Sequence, residues 1–169
     1  MTSSPECAVT GVGYKGFMGE TEDPFNLHRF VSEQNLPKSS FRSTYKKALQ
    51  ELQQGQKTSH WVWYVFPQLL FGSSKESMDF AISGLAEARA YLAHPDLGPR
   101  LHECIDALLQ AESNDARFVM GSGTDKMKLK SSMTLFLRAD PTDPVFQQVL
   151  DKYFEGEPDE ATDKRLGLA

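Results

Sequence analysis

At 169 residues, 40% hydrophobic and 24% charged, the chain has the size and composition of one globular domain with a core of its own. Its net charge of −5 argues against sequence-independent nucleic-acid binding, which draws affinity from phosphate neutralisation. Two cysteines, Cys7 and Cys104, form neither a disulfide framework nor a metal-ligand spacing, and no apolar run reaches the roughly 20 residues of a membrane helix.

The N-terminus has no basic region followed by an apolar stretch, so no secretory signal is read there and a reducing, cytoplasmic setting is expected. Residues 1–22 are rich in Ser, Gly and Thr and predict a flexible extension ahead of a single all-helical domain over 23–169. Gly11-Val-Gly13 misses the dinucleotide-binding spacing and no strand precedes it. Tyr14, Phe17 and Met18 are the segment's residues for docking on the body.

Asp23-Pro24 predicts a helix start, with Leu27, Phe30 and Val31 on its apolar face and an end at Asn35 to Pro37. Arg29 and Gln34 read as surface residues of that helix. Ser39-Ser40 predicts a second helix through Tyr45, Leu49 and Leu52 to Gly55, its lysines and glutamines forming a solvated face.

Lys57-Thr-Ser-His-Trp-Val-Trp-Tyr-Val-Phe-Pro-Gln68 follows, holding both tryptophans of the chain. Trp61 and Trp63 would share one face of a strand and stand about 200° apart on a helix, and so short an apolar run does not decide between the two. Its structural reading is the buried centre of the fold. Its functional reading is a pocket wall reached by His60, one tryptophan and Gln68, since pockets are apolar surfaces with a few placed polar groups.

Leu69 to Ser77 predicts a connector whose Gly72-Ser-Ser74 has the composition of an anion-cradling loop. Met78 to Leu92 predicts helix in two pieces around Ser83-Gly84, ended by His94-Pro95, with His94 on the helix dipole. Gly98-Pro99 opens a helix with Leu101, Ile105, Leu108 and Leu109 on one side, and His102 reads as a surface residue. Asp115 to Met120 is a short apolar segment. Asp143-Pro144 starts an amphipathic helix over Val145 to Phe154, and a short helical or frayed end follows Gly156. No series of alternating strands appears, so the expected fold is all-α, a single multihelical domain of orthogonal type.

Between these lies Gly121-Ser-Gly-Thr-Asp-Lys-Met-Lys-Leu-Lys-Ser-Ser-Met-Thr-Leu-Phe136, predicting a helix over Lys126 to Leu137 capped by Thr124 or Asp125. Leu129, Met133 and Phe136 share its apolar face. Asp125, Lys128, Ser131 and Ser132 border that face. The structural reading is close helix packing through small serines, with Lys128 paired to Asp125. The functional reading is an anion site, because a cation, hydroxyl donors and a helix start are what a phosphate requires.

These two stretches, with Asp23-Pro-Phe-Asn-Leu-His-Arg-Phe30 and Glu87 to Leu101, resemble the domain-of-unknown-function family numbered eighteen-ten. Ser59-His-Trp-x-Trp, Phe66-Pro-Gln68 and Ser131-Ser-Met-Thr-Leu-Phe136 carry the resemblance most specifically, and it spans Asp23 to Leu166. It implies a small all-helical protein, with helix in the aromatic stretch, and implies no reaction. The Phe71–Glu76 loop departs from the family's usual Gly-Leu-Gly-like version.

The residues support two functions. In the first, the protein binds or processes a phosphate-bearing nucleotide or ADP-ribose-like small ligand. Trp61 or Trp63 stacks a base or ribose, Gln68 reads an edge, Lys128 with Ser131 and Ser132 holds phosphate, and His60 or Asp125 is the general acid or base. This requires the two stretches to converge on one pocket. In the second, it is a non-catalytic helical protein-interaction module. Four scattered histidines, without a His-x₃-His or Glu-x-x-His pair, give no metal site, and no cofactor is expected.

Overall fold

The computed structural model describes residues 22–169 in ten helices. These are α1 (His28–Asn35), α2 (Tyr45–Gln53), α3 (Val62–Val65), α4 (Lys75–Asp79), α5 (Leu85–Ala93), α6 (Leu97–Gln110), α7 (Ala116–Val119), α8 (Gly123–Ala139), α9 (Val145–Phe154) and α10 (Glu160–Arg165). Among the described residues the β pairing is confined to two isolated parallel bridges, Arg42 with His60 and Leu69 with Ile82. The fold is all-α, as the composition and punctuation predict. No described helix is long and apolar enough to cross a membrane. The glycine-rich segment and the expected flexible extension lie, Glu22 apart, outside the described residues.

α8 is the axis. Every residue from Ser131 to Leu137 is buried, because α5 and α9 pack along it and α3, α7 and α10 close its remaining sides. A helix covered on all sides can carry hydroxyls only where they find acceptors. Ser131 Oγ has Met127 O at 3.1 Å and Asp159 Oδ2 at 2.9 Å as acceptors for its one hydrogen. Thr134 Oγ1 donates to Lys130 O and accepts the Asp159 N–H, both at 2.8 Å. Asp159 also caps α10, so the small side chains of α8 dock that helix.

The core is a file of rings. Phe30 meets Tyr91 edge-on at 5.2 Å, Tyr91 meets Phe136 at 5.4 Å, and Phe136 stacks on Phe146 at 5.8 Å. Tyr64 joins through Phe80 at 5.4 Å. Edge and offset contacts of this kind add roughly 0.5–1.5 kcal/mol per pair beyond area burial. At the α5–α6 corner a Cβ on Gly98 would stand 2.2 Å from Leu92 O, so only glycine fits that approach.

Several helix ends differ from the sequence expectation, each because a side chain reaches further than adjacent pairing suggests. Asp23 is not an N-cap. Its carboxylate accepts the N–H groups of Leu27 and His28 at 2.7 and 2.9 Å across a turn with Asn26 at φ 52°, and α1 starts at His28. α2 starts behind Thr44, not Ser39-Ser40. The first piece expected from Met78 is α4, one turn capped by Ser74. His94 closes α5 as expected, its N–H donating to Tyr91 O, and its ring also serves α6, Nδ1 accepting from Asp96 N and Leu97 N.

The surface assignments of Arg29, Gln34 and His102 are also corrected. Gln34 is 2% exposed, its Nε2 donating to Tyr64 O at 2.7 Å and Tyr91 Oη at 3.2 Å. Arg29 spends its guanidinium on four backbone carbonyls and on Glu87 at 2.6 Å. His102 sits between Gly98 O and Asp143, linking α6 to the start of α9. All these partners are distant in sequence or on another turn, which is what periodicity cannot see.

Candidate ligand-binding site

The aromatic stretch is held in place by a carboxylate. Glu51, on α2 and 1% exposed, accepts from Thr58 N, Ser59 N, Ser59 Oγ and Trp61 Nε1, at 2.6 to 3.1 Å. Burial alone would raise its pKa. The four donors outweigh burial and bring it down to about 2. Trp61 is thereby anchored and fully buried, and α3 turns on directly behind it. The residues on either side, Lys57 to His60 and Trp63, face the start of α8.

There the chain turns at Gly121, where φ is 77° and a Cβ would meet Lys57 O at 2.6 Å. Ser122 follows in extended backbone and caps α8 by accepting the Asp125 N–H at 3.1 Å. The helix thus begins earlier than a Thr124 or Asp125 cap would place it. Gly123 and Thr124, its first residues, have N–H groups without intrahelical acceptors.

Asp125 is clasped by two lysines, Lys57 at 2.7 Å and Lys128 at 3.2 Å. Lys57 is 8% exposed and its ammonium also lies 5.2 Å from the Trp61 ring centroid. The Lys128 ammonium lies 4.1 Å from the Trp63 centroid. Cations over indole faces are stabilised by the ring quadrupole. The cluster carries two positive charges against one negative.

This cluster is the wall between two hollows. A cleft of about 610 Å³ is lined by Gln68, Phe71, Gly72, Gly123, Thr124, Met127, Lys128, Ser131, Asp159 and Ala161. A smaller depression of about 300 Å³ is lined by Lys57, Thr58, Ser59, His60, Trp63, Met120, Gly121, Ser122 and Asp125. The two stretches therefore converge, as the ligand reading requires, but across a shared wall rather than around one pocket. A larger opening of about 720 Å³ lies beside Leu69, Ile82 and Arg165. There Glu87 already answers the start of α5, accepting Ser83 N–H at 2.8 Å, and Arg165 lies over the Phe71 ring at 4.1 Å.

In the cleft one side chain stands out. Gln68 is 9% exposed, its backbone oxygen accepts Ile82 N–H at 2.8 Å, and its amide makes no hydrogen bond among the described residues. The amide is not sealed off, since Ser132 Oγ is the one fully buried side-chain polar atom left unpaired among the described residues, so Gln68 presents an uncommitted donor and acceptor to the cleft beside Lys128 and the open first turn of α8.

Of the eight residues singled out from sequence, Gln68, Lys128 and Ser131 line the cleft, and His60, Trp63 and Asp125 line the depression. Trp61 and Ser132 line neither. Trp61 is sealed in the core with its N–H committed to Glu51, and Ser132 is fully buried with its hydroxyl unpaired among the described residues. Both leave the ligand set. Ser131 keeps its place in the wall, but its hydroxyl is engaged by Asp159. His60 is exposed and makes no side-chain hydrogen bond among the described residues. Lys57, Glu51, Phe71 and Asp159 were not foreseen. Lys57 opens the aromatic stretch, and a lysine leading into such a run is the one signal that pointed to it.

A family model described as "Protein of unknown function (DUF1810)" matches residues 24–166. The crystal structure at 1.38 Å of the conserved hypothetical protein Rv1873 from Mycobacterium tuberculosis is similar to this chain, with 41% identity and a TM-score of 0.77. That match covers 87% of this chain and 100% of the other. No curated protein matches.

Proposed function

The chain belongs to the DUF1810 family, whose description carries no reaction, and we propose that it binds a phosphate-bearing small ligand of nucleotide or ADP-ribose type in the cleft at the start of α8. The observation that carries this reading is the Gln68 amide, uncommitted to other groups among the described residues and facing the cleft, in a wall shared with Lys128 and the first turn of α8. A helix start with a cation beside it suits an anion. An uncommitted amide with both donor and acceptor suits the edge of a base or a sugar hydroxyl. Phe71, half-buried in the same wall, is the stacking surface, in place of Trp61.

Asp125, clasped between Lys57 and Lys128, acts as a positioning residue for the phosphate-binding cation. His60 lines the depression on the other side of the Trp63–Lys128 wall, not the cleft, so no proton transfer to a ligand in the cleft is assigned to it. The residues leave the type of reaction open. A cytoplasmic setting, where such ligands are abundant, fits this use.

A second reading, a non-catalytic helical interaction module, is favoured by Leu36 and Phe41. They are 78% and 80% exposed on the connection between α1 and α2, and apolar side chains that protrude in this way mark interaction surfaces when they are contiguous.

A thermal-shift screen against NAD, ADP-ribose, nucleotides and inorganic phosphates separates the two. A ligand that binds only the folded state raises the midpoint with the logarithm of its concentration over Kd. A rise that disappears in folded Lys128→Ala supports the cleft. No rise with any of them at millimolar concentration sinks it in favour of the interaction module.

A further inference from the structure

A second groove, of about 630 Å³, opens where the described chain begins. Phe25, Leu27 and Val31 form one wall, and Ala90, Ala93 and Pro95, from the α5–α6 corner, form the other. Glu22, Asp23 and Asp96 stand along it with His28 and His94, and although the Asp23 carboxylate also accepts two backbone N–H groups, the border carries three carboxylates and no lysine or arginine among the described residues. Glu22 is both the first described residue and part of that border. The 21 residues before it hold one cluster of large apolar side chains, Tyr14, Phe17 and Met18, and one cation, Lys15, within that cluster.

We infer that this groove is the docking site of the chain's own segment Tyr14 to Met18. Reach is sufficient: the four steps from Met18 to Glu22 span up to roughly 14 Å when extended. Chemistry matches, with aromatic and thioether groups for the apolar floor and Lys15 for the acidic border. A short tether holds the segment at an effective concentration on the order of millimolar, so a contact too weak to form between separate molecules is populated within one. The matched family region starts at residue 24 and the solved relative is covered in full by 87% of this chain, so the segment is an addition to the shared body. This inference stands apart from the cleft at α8, which lies on other elements.

The test uses the full chain with a nitroxide at Gly16→Cys in a Cys7→Ser background. Cys104 is fully buried and stays unlabelled. Amides of Val31, Ala90 and Ala93 should lose most of their NMR intensity relative to the reduced spin label, while those of α9 keep theirs. The loss should survive dilution with unlabelled, isotopically silent protein. It should be relieved by Phe17→Ser, a change outside the body that leaves the remaining spectrum in place. Uniform weak broadening, or broadening centred elsewhere, overturns the inference. A loss that vanishes on dilution overturns it too, by assigning the groove to a second copy of the chain.

Discussion

The Lys128 ammonium lies 4.1 Å from the Trp63 ring centroid and 3.2 Å from Asp125 Oδ1, so one side chain of α8 ties the aromatic stretch to the helix start. Asp125 in turn reaches back to Lys57 at 2.7 Å. Replacing Asp125 by Asn removes the one carboxylate bonded to Lys57 among the described residues and takes the counter-charge from a nearly buried ammonium. Breaking a buried pair from one side costs about 3 kcal/mol. Asp125→Asn is expected to lose that much in urea unfolding, and Lys57→Met less, because Asp125 then retains Lys128. Equal losses in the two variants would show that the pair does not carry the stability assigned to it.

Glu51 sets an acid limit. Its folded pKa of about 2 lies below the ordinary 4.5. A group whose folded value is depressed stabilises above the unfolded pKa, and that contribution is lost as pH falls through the folded one. The gap corresponds to about 3 kcal/mol, present at neutral pH and fading between pH 4.5 and 2. In Glu51→Gln the wild-type advantage in urea midpoint should be large at pH 7 and shrink across that window. A difference that stays constant with pH would remove Glu51 as its source.

His102 works in the opposite direction. Its Nδ1 faces Gly98 O at 2.8 Å and its Nε2 faces Asp143 Oδ2 at 2.6 Å, two acceptors that only the doubly protonated ring satisfies. Partial burial opposes the charge, but Asp143 and the Gly98 carbonyl outweigh it and raise the pKa above the ordinary 6.5. A raised folded pKa gives stability that is complete below pH 6.5 and is lost as pH rises through the folded value. Thermal midpoints should therefore drop from pH 6 to pH 8 more steeply in wild type than in His102→Gln. Parallel curves would mean that the ring binds its proton no more tightly in the fold than in the unfolded chain, and would remove the stabilisation assigned to Asp143.

What the sequence disclosed and what it hid divide along a physical line. Helix existence was legible from punctuation at Pro24, Gly55, Gly84, Pro99, Gly121, Pro144 and Gly156, because glycine and proline act on the local backbone. The Asp125–Lys128 pairing was legible because three residues on a helix are neighbours. Glu51 stayed hidden because its four donors come from Thr58 to Trp61, across a turn that no period describes. Gln34 failed likewise, its partners lying on α3 and α5. Trp61 and Trp63 look alike in the sequence, and only the position of Glu51 decides which ring is sealed and which meets Lys128.

Gln68 offers the sharpest test of the cleft, because stability and binding should part company there. The Gln68 side chain is mostly covered, and its amide, with no partner among the described residues, faces the solvent of the cleft. Were its place only structural, Leu at this position would cover apolar surface without desolvating an amide, and nothing else would change. Under the ligand reading the same substitution removes one polar contact from the bound state. Gln68→Leu is therefore expected to match or exceed wild type in urea unfolding, and to bind a ligand that shifts the wild-type midpoint about tenfold more weakly, the value of one lost hydrogen bond. Lys128→Ala should lower both, since Lys128 also pairs with Asp125 and covers Trp63. A destabilised Gln68→Leu with unchanged affinity would reverse the assignment. It would place the Gln68 amide in the protein's own hydrogen bonding and leave the start of α8 without its second polar contact.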